Sequence, residues 1–277
     1  MQDFIVPVVT YPDAPDPAEV AATVGVAQRF GAGVVLLVLA PDIRPPSSPL
    51  AGLVLDVPGM IRQAEGLARE KGDAIAAAVS AAAHATGTDL RVQRRAVPPE
   101  LFGDKIAEAA RYADLVLMPL PVDNAGARDA AEAAVFGSGR PVMILPRHEA
   151  RDPTGCVVVA WDGSRAAARA LGDAIPFLSA ARDVVVLTVD DDVPARNAEL
   201  ADILATHLRH RDLPARAEVV QTRGRTIGQT LQEEAILLGA DMLVMGAYGH
   251  SRLREFVLGG ATRGVLDGLR LPVLLAH

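Results

Sequence analysis

Two short stretches of this chain each occur twice, with small changes. Ala113-Asp114-Leu115-Val116-Leu117-Met118 is echoed by Ala240-Asp241-Met242-Leu243-Val244-Met245, and Pro141-Val142-Met143-Ile144-Leu145 by Pro272-Val273-Leu274-Leu275-Ala276. A short continuous apolar run bounded by turn residues reads as a strand, and one without polar alternation is covered on both faces. Two such strands recurring in the same order imply two copies of one supersecondary unit, about 140 residues each. Buried strands that alternate with helices cannot be joined by hairpins. They need crossover connections, and so a parallel, doubly wound α/β sheet.

The rest of the chain fits that frame. In the first half, strands are expected at Phe4–Val9, with an irregularity at Pro7, and at Val34–Leu39, Leu90–Ala96, Leu115–Met118 and Val142–Leu145. Asp16-Pro17 reads as the cap and first position of a helix that stops at Gly31. Residues 40–58 are rich in Pro, Ser and Gly and read as a long surface loop, followed by an alanine-rich helix from Met60 to Ala85. Another helix runs from Pro98 to Tyr112. The second half repeats the order, with strands at Cys156–Ala160, Val184–Thr188, Ala217–Gln221, Met242–Met245 and Val273–Leu275. Its helices are expected from Ser164 to Leu178, Arg196 to Arg211, Thr226 to Leu238 and Ala261 to Leu269. Arg147–Pro153 reads as a linker, which gives domains at 1–148 and 154–277.

Composition narrows the partners. The chain has 277 residues, 50% of them hydrophobic and 4% aromatic, enough for a core of Ala, Val and Leu. Its net charge of −7, with no basic block, disfavours duplex nucleic acid and anionic membrane. No apolar run approaches the roughly 20 residues of a membrane span, and the N-terminus lacks a cationic lead-in, so a cytoplasmic location is the expectation. The single cysteine, Cys156, excludes an internal disulfide and reads as a small core residue.

The chemistry concentrates between Gly246 and Thr262. A buried strand ends at Gly246, and Gly249 follows three residues later; together they let main-chain N–H groups approach a ligand. Gly259-Gly260 then opens a helix, whose N-terminal N–H groups suit an anion. A plain turn explains the glycines equally well when the loop is taken alone. The first half has Pro119 and Val122 where the second has Gly246 and Gly249, and Pro119 and Pro121 supply no N–H, so no phosphate cradle can be drawn there. Arg252 is a candidate phosphate partner. His250 with Ser251 hints at nucleophilic chemistry, without a third partner. Asp190-Asp191-Asp192 reads as a solvated loop before it reads as a Mg2+ site. Trp161 is a candidate to flank a base or to pack on a helix. Arg223-Gly224-Arg225 contacts phosphate or turns the chain. Asp13 and Asp16 are a turn and a cap.

Taken together, these motifs resemble the universal stress protein family in a tandem two-domain form. Nucleotide-binding members carry Gly-x-x-Gly, nine residues, then Gly-Ser or Gly-Thr. Gly246, Gly249 and Gly259 match at that spacing, and Trp161-Asp162-Gly163-Ser164 fits the end of the family's first strand. The resemblance implies two five-stranded Rossmann-like sheets of strand order 3-2-1-4-5. It also implies ATP as ligand, alone or with Mg2+. Asp162 would meet the adenine–ribose end, with Gly163, Ser164 and Val189 beside it. Gly246, Gly249, His250, Arg252, Gly259, Gly260, Ala261 and Thr262 would line the phosphates. Gly260 departs from the family's Ser or Thr and removes one hydroxyl; Thr262 is a candidate replacement. The reversal of strand order between the first and fourth strands is where open α/β sheets bind ligands, and Asp162 and Gly246 follow those strands.

The expectation is a stress-response protein whose second domain binds ATP as a regulatory ligand, with at most slow hydrolysis because no general base is evident. The alternatives are a nucleotide-free scaffold with a decayed site, and a slow nucleotidase or adenylyl transferase. The halves are expected to form an intramolecular pseudo-dimer through their fifth strands, with a homodimer as a further option.

Overall fold

Valine- and leucine-rich runs form the central strands of both repeats, and helices capped by short polar residues connect them. The computed structural model describes residues 2–45, 56–120, 125–146, 153–190, 194–247 and 260–277. The chain divides into two compact units, Met1–Arg140 and Pro141–His277.

The first repeat contains β1 (Asp3–Val9), α1 (Pro17–Arg29), β2 (Gly33–Pro41), α2 (Val57–Thr86), β3 (Leu90–Val97), a 3-10 turn (Pro99–Leu101), α3 (Phe102–Ala110), β4 (Leu115–Pro119), α4 (Ala125–Gly137) and β5 (Val142–Leu145). Its strand order is β3-β2-β1-β4-β5. β1 runs parallel to both β2 and β4, and β2 parallel to β3. The second contains β6 (Cys156–Ala160), α5 (Arg165–Ala180), β7 (Asp183–Asp190), α6 (Pro194–Arg209), β8 (Ala215–Gln221), α7 (Ile227–Leu237), β9 (Met242–Gly246), α8 (Gly260–Asp267) and β10 (Val273–Ala276). Its order is β8-β7-β6-β9-β10, again 3-2-1-4-5, and the pairings among these five strands are parallel. Among the described residues no helix is long and apolar enough to cross a membrane.

Local chemistry explains most boundaries. The Asp16 carboxylate accepts from Ala18 N at 2.7 Å and starts α1. Thr226 and Gln229 form a reciprocal capping box at the start of α7. The Asp56 carboxylate accepts from Gly59 N at 2.9 Å, so α2 begins a few residues earlier than its alanine pattern indicates. One helix escaped the sequence reading: α4 lies between β4 and β5, where only a connection was expected.

Pro7 leaves the β1–β2 ladder intact, and the expected irregularity falls on the β4 edge. Gly33 N donates to Gln2 O, Thr10 N to Leu39 O and Asp114 N to Asp3 O. Even-numbered residues of β1 therefore face β2, and odd-numbered ones face β4. Pro7 is odd, so its missing N–H falls on the β4 side, where the register ends at Ile5↔Val116. The β2 register continues through Pro7↔Leu37 to Val9↔Leu39.

Both repeats use one device where their first and fourth strands begin. The Asp114 carboxylate accepts from Gln2 N at 2.6 Å, and the Asp241 carboxylate from Cys156 N at 2.8 Å. Their own N–H groups donate back to Asp3 O and Cys156 O, each at 2.8 Å. The Ala-Asp pair in the repeated sequence is thus a clasp between neighbouring strands.

Candidate functional site

β6 leaves the sheet early. Its pairing with β7 ends at Ala160↔Leu187, with a last main-chain bond from Trp161 N to Leu187 O of 2.9 Å. The next residues make a tight turn into α5. Asp162 Oδ1 accepts from Ser164 N at 2.9 Å, Gly163 takes φ +73°, and Ser164 Oγ caps the helix by accepting from Ala167 N at 3.1 Å. The left-handed φ is the reason for glycine at 163. Thr188, buried on β7, donates its hydroxyl to Trp161 O at 2.8 Å and holds the turn from below. Asp162 and Gly163 are exposed at its crest.

β7 continues for three residues after β6 has turned away, still paired with β8 to Asp190↔Gln221. Asp183 N donates to Gly155 O and Val184 N to Pro214 O, so odd-numbered residues of β7 face β6. Val189 is odd. Its N–H and C=O are therefore directed into the space that β6 has vacated. That gives the crevice one main-chain donor and one acceptor beside Asp162. Val189 itself is half-buried.

β9 lies on the other side of β6, in register from Val157↔Met242 to Val159↔Val244. Its last residue, Gly246, has a packing reason to be glycine. A Cβ there would stand 2.5 Å from the main-chain atoms Ala166 C and Ala167 N of α5. Gly246 therefore lets the first turn of α5 settle against the end of β9. His277 Nδ1 lies 3.0 Å from Ala247 O, where the chain leaves β9. Gly249, His250, Ser251, Arg252 and Gly259, all expected phosphate-side residues or their neighbours, lie outside the described residues.

α8 begins at Gly260, which is exposed, with no atom of the described residues near the position a Cβ would take. The helix is held firmly behind that end. Gly228 of α7 sits so close that a Cβ would stand 2.6 Å from Ala261 O, and Gly264 lies opposite it. The buried Gln232 side chain donates to Val265 O at 3.0 Å and Gly268 O at 2.8 Å, and accepts from Arg270 N at 2.9 Å. It thereby pairs carbonyls at the end of α8 that the helix itself leaves open. Thr262 is 2% exposed and shares the packed stripe of α8 with Val265 and Leu266. Gly260 and Ala261 are the more accessible residues of the first turn.

The remaining candidates sort by their contacts. Arg225 is committed to its own turn: it pairs with Glu233 at 2.8 Å and Glu234 at 2.7 Å and donates to Thr222 O and Gln221 O. Those bonds, to Glu233 first, push its pKa further up. Arg223 takes φ +50° and is exposed beside it. Asp190 is buried at the end of β7, while Asp191 and Asp192 lie outside the described residues. Among the described residues no cluster of three or more His, Cys, Asp or Glu side chains is arranged to hold a metal ion. Burial, and then the nearby Asp183 carboxylate, raise the Cys156 thiol to a pKa of about 11, so it stays protonated and unreactive at neutral pH. The sequence reading passed over Thr188 and gave no physical reason for Val189. Their roles depend on where β6 departs from β7, which no local pattern encodes.

Residues 155–277 match the model of the Universal stress protein family. No curated protein matches the chain. Among solved structures, a universal stress protein from Archaeoglobus fulgidus DSM 4304 superposes with a TM-score of 0.70 at 16% identity, covering 99% of this chain and 97% of that one. A putative universal stress protein from Pseudomonas aeruginosa UCBPP-PA14 gives 0.57 at 15% identity, over 100% of this chain and 93% of that one. The cytoplasmic domain of a prokaryotic cation chloride cotransporter shares the fold at a TM-score of 0.52 and 14% identity, over 99% and 94% of the two chains. Residues 155–277 thus belong to the universal stress protein family, and the chain before them is a further copy of the same fold.

Proposed function

We propose that the second unit binds ATP, or a closely related adenine nucleotide, as a regulatory ligand in a stress-response protein. The observation that carries this reading is the crevice at the reversal of strand order. There β6 turns away from β7, the exposed Asp162 crowns the turn, and the main-chain groups of Val189 face the opening. A base edge needs one donor and one acceptor side by side, and a ribose hydroxyl needs an acceptor such as a carboxylate. The first turn of α8, exposed at Gly260, supplies N–H groups that the helix itself leaves open, suited to phosphate oxygens. Gly249 and Gly259 complete the spacing in the sequence.

The test is calorimetric titration of the full chain with ATP. Asp162→Ala removes both the carboxylate and the turn bond to Ser164 N. Asp162→Asn keeps an oxygen for that bond and removes the charge. A hydrogen bond to a charged group contributes about 1.5–3 kcal/mol, which is roughly ten- to a hundredfold in Kd. Asp162→Asn is expected to lose affinity within that range while keeping the wild-type melting temperature. An absence of ATP binding by the wild-type chain overturns the proposal, as does unchanged affinity in both variants.

A further inference from the structure

The two repeats can be aligned through strand register alone. Phe4 pairs with Leu115, and Val157 with Met242; Leu115 and Met242 each follow the repeated Ala-Asp pair. On the other side Phe4 pairs with Val34, and Val157 with Val184. Counting along the strands, Val9 and Thr10 stand where the second repeat has Asp162 and Gly163. Leu39 stands where it has Val189.

At these positions the strands part company. β6 stops pairing at Ala160↔Leu187, whereas β1 stays paired two residues further, to Val9↔Leu39. Thr10 then donates both its N–H and its hydroxyl to Leu39 O, each at 3.1 Å. The carbonyl equivalent to the crevice-facing one of Val189 is thus already engaged. Val9, Thr10 and Leu39 are 5%, 1% and 0% exposed. α2 seals the same place from one face. Gly72 lies so close that a Cβ would stand 2.9 Å from Val38 Cγ1 and 3.5 Å from Thr10 Cγ2. The Glu65 carboxylate accepts from Ile43 N at 3.0 Å and fastens α2 to the chain just beyond β2.

We infer that the first unit's crevice is zipped shut by its own main chain and α2, so that replacing the missing glycines would not open it to a ligand. The first unit is then a permanently closed counterpart of the second. Its loss of binding lies in the extended β1–β2 register, and Pro119 and Val122 are secondary to it. Where a ligand would sit rests on the proposed nucleotide reading; the closure does not.

Two measurements on the full chain test it. Amide hydrogen exchange of the wild-type protein reads the zipper directly. After correction for intrinsic rates, the Thr10 amide is expected to exchange about a hundredfold or more slowly than the Gly163 amide. Similar rates at the two amides overturn the closure, whatever the chain binds. The second measurement is ATP stoichiometry in a Pro119→Gly, Val122→Gly double variant. No additional equivalent beyond wild type is expected, and a new equivalent overturns the inference. If the wild-type chain binds no ATP, the nucleotide reading fails and the exchange result still decides the closure.

Discussion

Gly246 and Gly260 look alike in the motif and answer to different physics. Gly246 is a packing glycine: any Cβ meets the main chain of α5, which cannot move as a side chain can. Gly246→Ala is expected to destabilise the second unit by about 1–3 kcal/mol, read as a lower urea midpoint at unchanged slope. Gly260 opens α8 in helical backbone with no described residue near its Cβ position, so a serine there meets no obstacle among the described residues. Gly260→Ser is expected to leave stability within about 0.5 kcal/mol of wild type. It should also tighten ATP severalfold by restoring one hydroxyl donor. Unchanged affinity would show that the first turn of α8 does not face the phosphates. The burial of Thr262 gives it a share in packing, so Thr262→Ala is expected to register in melting temperature.

At the scale of elements, the Ala-Asp clasp joins the first and fourth strands of each repeat. The Gln2 N–H holds the Asp114 carboxyl below the ordinary aspartate pKa, and the Asp3 N–H adds to the effect. A carboxyl whose folded pKa is depressed adds stability above its unfolded pKa and loses it as pH falls through the folded one. Asp114→Asn is therefore expected to cost about 0.5–1 kcal/mol at neutral pH, allowing for partial exposure. The gap to wild type should close as pH falls below the ordinary aspartate range. Urea titrations at neutral and acid pH measure it, and a pH-independent gap would assign the loss to packing. The capped helices work in the same direction. Ser164, Thr226 and Gln232 each pair main-chain groups that a helix end leaves open, and so fix where α5, α7 and α8 begin or end.

For the molecule as a whole, two units share one strand order and differ at their strand ends. One has an exposed aspartate at a tight turn, and the other a buried valine and threonine in continuous pairing. The expected stoichiometry is one nucleotide per chain, held by residues after 155. Calorimetric titration that fits two equivalent sites per chain would contradict the closure of the first unit.

The sequence alone was enough for the order of strands and most helices, the repeat, the cap at Asp16, and the helix starts at Ser164 and Thr226. Those features are written in short-range terms: apolar runs, hydroxyl and carboxylate caps, and a repeated hexapeptide. α4 lacked such a signal, because an alanine-rich segment leaves little contrast between its faces. Gly246 as a seat for α5, Thr262 on a packed stripe and Pro7 turned toward β4 required the tertiary structure. Each depends on which distant main chain lies opposite. The same holds for the two extra rungs between β1 and β2. Val9-Thr10 and Asp162-Gly163 are dipeptides in equivalent places, and only the pairing of neighbouring strands decides which one closes a crevice and which one leaves it open.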